Sequence, residues 1–391
     1  MNKQDFPLLN RKLNGKSLTY LNSAATTQKP KVVIDSAKEF YEKYNANLHR
    51  GSDYLSNETE KIYDSSRRKV ANFLNSGVDE IVFTKSCTEA INLVVRGFNF
   101  SKNDKILVAI SNHHSNFVPW KMLERRGLKI EFINVDKNGS LLLDENKIKG
   151  ARLLAITHLS NVLGNVLDVR KICSIAHKHN CLVLVDCAQS AGKIKIDVKD
   201  LDCDFLAFSG HKMFSLNGVG VLYGKKKLLE NVQPLIYGGD MIKDVSLKGV
   251  SFAEVPRRFE GGTADVASVY SLSKAIDYID KLGVEKINKH IQDLTGYCLN
   301  KFGEIKNLEV YGANQDSVIS FNLKEIHGHD VAEYLASKGI SVRSGHMCCQ
   351  PLISHLGLNS VVRVSFHIYN DKKDIDILVK ELKNCQGFFK I

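Results

Sequence analysis

The chain has 391 residues, 43% apolar and 25% charged, which is the make-up of a globular protein with room for two domains. No apolar run approaches the roughly 20 residues of a membrane span, and the N-terminal Met1-Asn2-Lys3-Gln4-Asp5 lacks a signal-peptide core, so a cytoplasmic protein is expected. The balance of 54 basic to 43 acidic residues gives +11, but the clusters Arg67-Arg68-Lys69, Arg125-Arg126 and Lys225-Lys226-Lys227 are scattered and free of interleaved aromatics, which argues against a nucleic-acid surface.

In chain order, residues 18–21 read as a strand that runs into the small-residue turn Asn22-Ser23-Ala24-Ala25-Thr26. Helices are expected near 31–44 and 58–74, the second with Ile62, Val70 and Phe73 on one side. Strands and helices then alternate. Strands fall at 80–84, 105–110, 129–133, 153–157, 182–185 and 205–208, with helices from Thr88, near 116–126 and over 169–179. Such alternation implies an α/β fold with a mostly parallel sheet, whose ligands sit beyond the carboxyl ends of the strands. Residues 238–263 read as an irregular arm or hairpin, and a long helix over 266–282 bridges to a second, α+β domain. That domain has strands near 318–323 and 361–366 and helices near 329–338 and 372–384.

The strand ends carry the chemistry. Phe205-Leu206-Ala207-Phe208 breaks at Ser209-Gly210-His211 and presents Lys212, while the neighbouring strand ends in Asp186 with Gln189 three residues on. Burying an unpaired ammonium is costly. The cost vanishes if the amine is condensed with an aldehyde, and a carboxylate at the next strand end is what the pyridine nitrogen of pyridoxal phosphate requires. A salt-bridged Asp–Lys pair at a sheet rim is the plainer alternative. Thr88 stands where a strand meets a helix start and suits a phosphate, or is only a helix cap. His113-His114 lie at the next strand end, fit to stack on a flat ring or simply to pack. Asn161 follows the third, and Arg343 and Arg363 flank a polar loop, where an arginine either clamps a carboxylate or faces solvent. Nine cysteines follow no zinc spacing and mostly sit in apolar segments. The pair Cys348-Cys349, in Gly345-His346-Met347-Cys348-Cys349-Gln350-Pro351, is the exception.

Taken together, the segments Tyr20–Ala25, His49-Arg50-Gly51, Thr88–Asn92, His113–Asn116, Thr157–Gly164, Val185–Gln189, Ser209–Lys212, Arg257–Thr263 and Arg343–Pro351 resemble the class V, fold-type I pyridoxal-phosphate enzymes. Within these the chain is most similar to the cysteine desulfurases of the SufS/CsdA type. The resemblance implies a large domain over 17–275 with a mostly parallel seven-stranded sheet, and a smaller α+β domain made of 1–16 and 276–391. It implies conversion of L-cysteine to L-alanine, with the sulfur passed to an enzyme cysteine as a persulfide for iron–sulfur cluster assembly.

By the same resemblance, Lys212 bears the cofactor, Asp186 pairs with the ring nitrogen, Gln189 bonds the ring oxygen and His113 stacks on the ring. Thr88, Ser209 and His211 bind phosphate, joined by Thr263 from the second subunit of a homodimer. Asn161 and Arg363 hold the substrate carboxylate, and Cys348 takes the sulfur. Departures from the family pattern are Asn22, Cys87, Cys187, Met347 and Cys349. About twenty residues separate Arg343 from Arg363. A cysteine loop that short fits the SufS-like group and implies a dedicated SufE- or SufU-like sulfur acceptor. No nucleic acid, membrane or metal is expected. Selenocysteine lyase or another class V activity is the alternative within the family, and an inactive scaffold the one outside it.

Overall fold

The computed structural model describes residues 3–13, 15–48 and 53–389; the motif His49-Arg50-Gly51 lies outside them. Seven strands form the main sheet: β1 (Ile81–Thr84), β2 (Lys105–Ala109), β3 (Lys129–Ile133), β4 (Ala151–Thr157), β5 (Leu182–Asp186), β6 (Phe205–Ser209) and β7 (Gly220–Gly224). They lie in the order β1-β7-β6-β5-β4-β2-β3, and all pair in parallel except β7, which runs antiparallel to β1 and β6. The near-continuous apolar character of these strands follows from burial on both faces. Side chains alternate between two cores: Val183, Val185, Leu206 and Phe208 enter one, Leu184, Phe205 and Ala207 the other.

Helices α1 (Lys31–Lys43) and α2 (Tyr54–Leu74) pack with the long helix α5 (Val266–Leu282) on one side, and α3 (Cys87–Gly97) covers the other. Helix α4 (Val169–His177) joins β4 to β5. The helix expected over 116–126 is broken into a 3-10 turn, a four-residue helix Val118–Lys121 and a second 3-10 turn. Pro119 explains the break, because it has no N–H to donate and is admitted only in a first helical turn. Residues 238–263 contain the expected hairpin, Ile242–Ser246 against Gly249–Phe252.

Beyond α5, helix α6 (Val284–Phe302) leads into a four-stranded antiparallel sheet of β8 (Leu308–Tyr311), β9 (Val318–Leu323), β10 (Arg343–Gly345) and β11 (Val361–Ser365), ordered β8-β9-β11-β10. Helices α7 (Gly328–Ser337) and α8 (Lys372–Phe388) cover it. The N-terminal segment is tied to both parts of the chain. Thr19 and Tyr20 pair in parallel with Ile340 and Ser341, while the Phe6 ring packs against Phe214, Tyr278 and Tyr369.

One buried ion pair fixes the arm that leads to Thr263. The Glu260 carboxylate accepts from both Arg67 guanidinium nitrogens at 2.9 and 2.6 Å, from Tyr63 Oη at 2.8 Å and from Phe83 N–H at 2.8 Å. The guanidinium also lies 4.7 Å from the Phe83 ring centroid. Removing one charge from such a pair strands the other away from water. Glu260→Gln is therefore expected to lower the unfolding free energy by about 3–5 kcal/mol in urea denaturation. A loss below about 1 kcal/mol would show the pair to be solvent-screened instead.

Candidate active site

The carboxyl ends of β1, β2, β4, β5 and β6 share one edge of the sheet. Thr84 and Ser209 both lie opposite Gly220, and Thr157 lies opposite Asp186. Gly220 is required there, because a Cβ would come within 2.4–2.6 Å of the Ser86 backbone. The strand can thus pass directly beneath the start of α3. Above this edge is a cavity of about 220 Å³ whose wall includes Lys212, Asp186, Gln189, His113, Asn161 and Arg363. Thr88, Ser209, His211 and Arg343 also line it.

Lys212 ends the 3-10 turn that β6 enters at Gly210. Burial pulls its amine below the ordinary lysine value. Asp186 opposes that shift, and Arg363 and Arg343 add to it. Asp186 is itself buried, and burial raises its proton affinity against the Ala188 N–H, at 2.9 Å, the nearby Lys212 charge, and the Cys87 thiol, at 3.4 Å. Gln189 donates from Nε2 to the Ala24 carbonyl at 2.8 Å, and its Oε1 is buried without a protein partner.

His113 caps a 3-10 turn, and its Nδ1 accepts from the Ser115 N–H at 3.1 Å. Burial first, then the charges of Lys212, His114 and the two arginines, hold it down to about 3. The ring is therefore neutral at working pH, and because Nδ1 is an acceptor its one proton sits on Nε2. At the start of α3, the Ser86 side chain caps the helix, Cys87 N–H donates to Ser209 Oγ at 2.8 Å, and Thr88 Oγ1 meets Ser115 Oγ at 2.7 Å. His211 is pulled down to about 4, mainly by burial.

Arg363 is the most telling group. It is 1% exposed, and among the described residues its only protein hydrogen bond runs from Nη1 to the Asn161 carbonyl at 2.9 Å, with Nε and Nη2 buried without a partner. Burial, followed by the Arg343 charge, lowers its proton affinity to about 9. Strand register sets Arg343 directly opposite Arg363. Two like charges in that position oppose each other unless an anion lies between or beside them. Asn161 Nδ2 donates to the Met347 carbonyl at 2.7 Å and so ties the cavity to the cysteine loop.

Cys348 does not line the cavity itself, but Arg343, which does, donates from Nη2 to its Sγ at 3.1 Å. Met347 and Cys348 both have positive φ, 54° and 56°, which L-residues adopt at a cost. The Cys348 carbonyl is pinned by the His114 N–H at 2.7 Å, so the loop is held rather than free. His346 is exposed, and Arg343 is the cation that reaches the sulfur. Cys349 is fully buried, its thiol 3.3 Å from the Asn112 carbonyl, and burial pushes it up to about 12. Only one thiol of the pair is therefore placed for nucleophilic chemistry.

Thr263 does not join this cavity. It lines a separate one of about 170 Å³ with Lys85, Glu89 and Gly218. Two groups near the site escaped the reading of the sequence. Ser115, which sets the His113 tautomer, and Lys29, which grips the Lys212 turn, both sit in polar segments that look like surface loops.

The sequence profile of the family described as aminotransferase class V matches residues 19–378. A protein of Halalkalibacterium halodurans named a probable cysteine desulfurase is 41% identical over 396 residues, covering 99% of this chain and 98% of the relative. Among solved structures, a cysteine desulfurase from Thermococcus onnurineus superposes with a TM-score of 0.94 at 38% identity, covering 98% and 97% of the two chains. The cysteine desulfurase CsdA of Escherichia coli does so with a TM-score of 0.91 at 32% identity, covering 99% of both.

Proposed function

The chain belongs to the aminotransferase class-V family, and on that premise we propose that it is a pyridoxal-phosphate-dependent cysteine desulfurase, converting L-cysteine to L-alanine and taking the sulfur as a persulfide. The observation that carries this is the buried, half-satisfied guanidinium of Arg363 beside Lys212, with Arg343 reaching from the same wall to the Cys348 sulfur. An amino-acid carboxylate supplies the anion that Arg363 lacks.

The residues fit the cofactor on their own chemistry. Asp186 is a buried carboxylate with no ion-pair partner within 4 Å among the described residues, Gln189 has a free amide end, and the α3 N-terminus faces the same cavity. Lys212 would hold it covalently, Asp186 would keep its ring nitrogen protonated, and Ser86 to Thr88 with Ser209 and His211 would take the phosphate. When bound, pyridoxal phosphate supplies an electron sink for carbanion chemistry at the substrate α-carbon.

The side chains then divide the work. Arg363, with Asn161, orients the substrate carboxylate. The Lys212 amine, its proton affinity lowered by burial, takes the α-proton as general base. Neutral His113, with its Nε2–H, would stand against the cofactor ring. The Arg343 guanidinium donates to the Cys348 sulfur and orients it. That sulfur attacks the substrate sulfur: an S–S bond forms as the substrate Cβ–S bond breaks, and the electron pair left on carbon is protonated to give alanine.

Three further elements belong to the same proposal. Thr263 acts on the phosphate site of the second subunit in a two-fold dimer, consistent with its absence from its own chain's cavity. The short, pinned cysteine loop calls for a dedicated acceptor protein that collects the sulfur for iron–sulfur cluster assembly. The division into 17–275 and 1–16 with 276–391 assigns the cofactor to the first part and the cysteine loop to the second. No helix among the described residues is long and apolar enough to cross a membrane, and a cytoplasmic site of action is part of the proposal.

The test is alanine release from L-cysteine by protein whose size is followed by sedimentation in the same buffer. Alanine formed in step with sulfur by a dimer is expected. No alanine would refute the activity, and alanine from a monomer would refute the role of Thr263.

A further inference from the structure

We infer that Lys29 is a positioning residue for Lys212, holding the peptide that joins His211 to Lys212 so that the amine is aimed at the cofactor aldehyde. The inference rests on the reading of Lys212 as the cofactor-bearing residue.

The geometry converges on one carbonyl. The His211 oxygen, which belongs to the peptide bond with Lys212, accepts from Lys29 Nζ at 2.7 Å, from Thr27 N–H at 3.1 Å and from the hydroxyls of Thr26 and Thr27 at 3.1 Å. Lys29 Nζ also donates to the Thr27 carbonyl at 2.7 Å and to Thr26 Oγ1 at 3.4 Å. Thr27 Oγ1 accepts from Phe214 N–H at 2.9 Å, so the segment grips the lysine turn on both flanks. Thr26 Oγ1 lies 3.2 Å from His211 Nδ1 as well, and this fixes the imidazole beside the phosphate end of the cavity.

The choice of a lysine for this task is costly. Among the described residues no carboxylate lies within ion-pair distance of Lys29, and burial alone pulls its amine down to about 7. A neutral amide side chain would bond one carbonyl without that penalty. An ammonium bonds three oxygens at once, and charge-assisted hydrogen bonds are roughly twice as strong as neutral ones. What it stabilises is a short 3-10 turn with no capping side chain of its own, at the one place where displacement of a side chain displaces the reacting amine. Misplacement of a reacting group by about 1 Å costs up to about a hundredfold in rate. Lys29 bonds His211 from outside and does not itself line the cavity, so its role is to position rather than to react.

The test compares Lys29→Met with Lys29→Arg in the full-length protein. Pyridoxal phosphate is added to the cofactor-free chain, and the growth of near-visible absorbance is timed. Lys29→Met is expected to slow that capture and to lower kcat about tenfold to a hundredfold, with KM for L-cysteine within about twofold. Lys29→Arg should restore most of both. Thermal melting of the cofactor-free protein should be nearly the same for all three chains. If Lys29→Met melts early, Lys29→Gln is read in its place, with an intermediate slowing expected. Capture at the parental rate in Lys29→Met or Lys29→Gln, or no recovery in Lys29→Arg, would overturn the inference. A parent chain that never develops the absorbance would instead overturn the assignment of Lys212.

Discussion

Lys212→Ala should lose the near-visible absorbance of the cofactor-loaded protein and lower turnover of L-cysteine by about a thousandfold or more. Both losses would follow from one position, since the proposal has the same amine anchor the cofactor and take the α-proton. The second half of the expectation concerns stability and has the opposite sign to most core truncations. The folded chain holds the Lys212 amine below its unfolded proton affinity, with burial as the main cause. A lysine depressed in this way binds fewer protons when folded than when unfolded, so below the unfolded value it opposes folding, and the penalty fades as pH rises through the folded value. Lys212→Ala should accordingly leave the melting temperature of the cofactor-free protein at neutral pH unchanged or raised. A marked fall would mean that Lys212 packs as a structural ion pair with Asp186. Substantial activity in Lys212→Ala would remove the basis of the assignment altogether.

Cys348→Ser is expected to abolish conversion of cysteine while leaving cysteine binding intact, seen as an unchanged response of the near-visible absorbance when cysteine is added. A serine hydroxyl keeps the loop geometry but cannot form the S–S bond. Cys349→Ser should retain most activity, since the Cys349 thiol is fully buried against backbone carbonyls. The two adjacent cysteines differ because the backbone places them differently. Cys348 has positive φ and its carbonyl is pinned by the His114 N–H, whereas Cys349 precedes the helix Gln350–His355 and turns into a cluster with Ile110, Leu352 and Ile353.

The parallel strands were legible because burial on both faces leaves short apolar runs that stop at polar turns, as Leu182–Asp186 and Phe205–Ser209 do. Strand β7 was not legible. Gly220–Gly224 is flanked by glycines and makes its case only through its antiparallel neighbours. Helix α6 and strands β8 and β10 were also missed. Strand β10 is three residues long, and its register with β11, which opposes Arg343 to Arg363, is a tertiary fact that no local pattern encodes. The residues at the strand ends stand out in the sequence because chemistry-bearing side chains at such positions are unusual. Lys29 was not, because Gln28-Lys29-Pro30 reads as an exposed turn and its burial comes from the distant Gly210–Phe214 segment. The roles of Thr88 and Ser209 rest on the same logic: their positions at strand and helix ends are local, but their partners are not.

The most direct measurement of the central claim is mass spectrometry of the cofactor-loaded protein quenched after brief exposure to L-cysteine without reductant. One added sulfur atom on the peptide containing Cys348 and Cys349, located on Cys348 by fragmentation and formed together with an equal amount of alanine, is the predicted result. Sulfur found mainly on Cys349, or alanine formed with no sulfur retained by the protein, would contradict it.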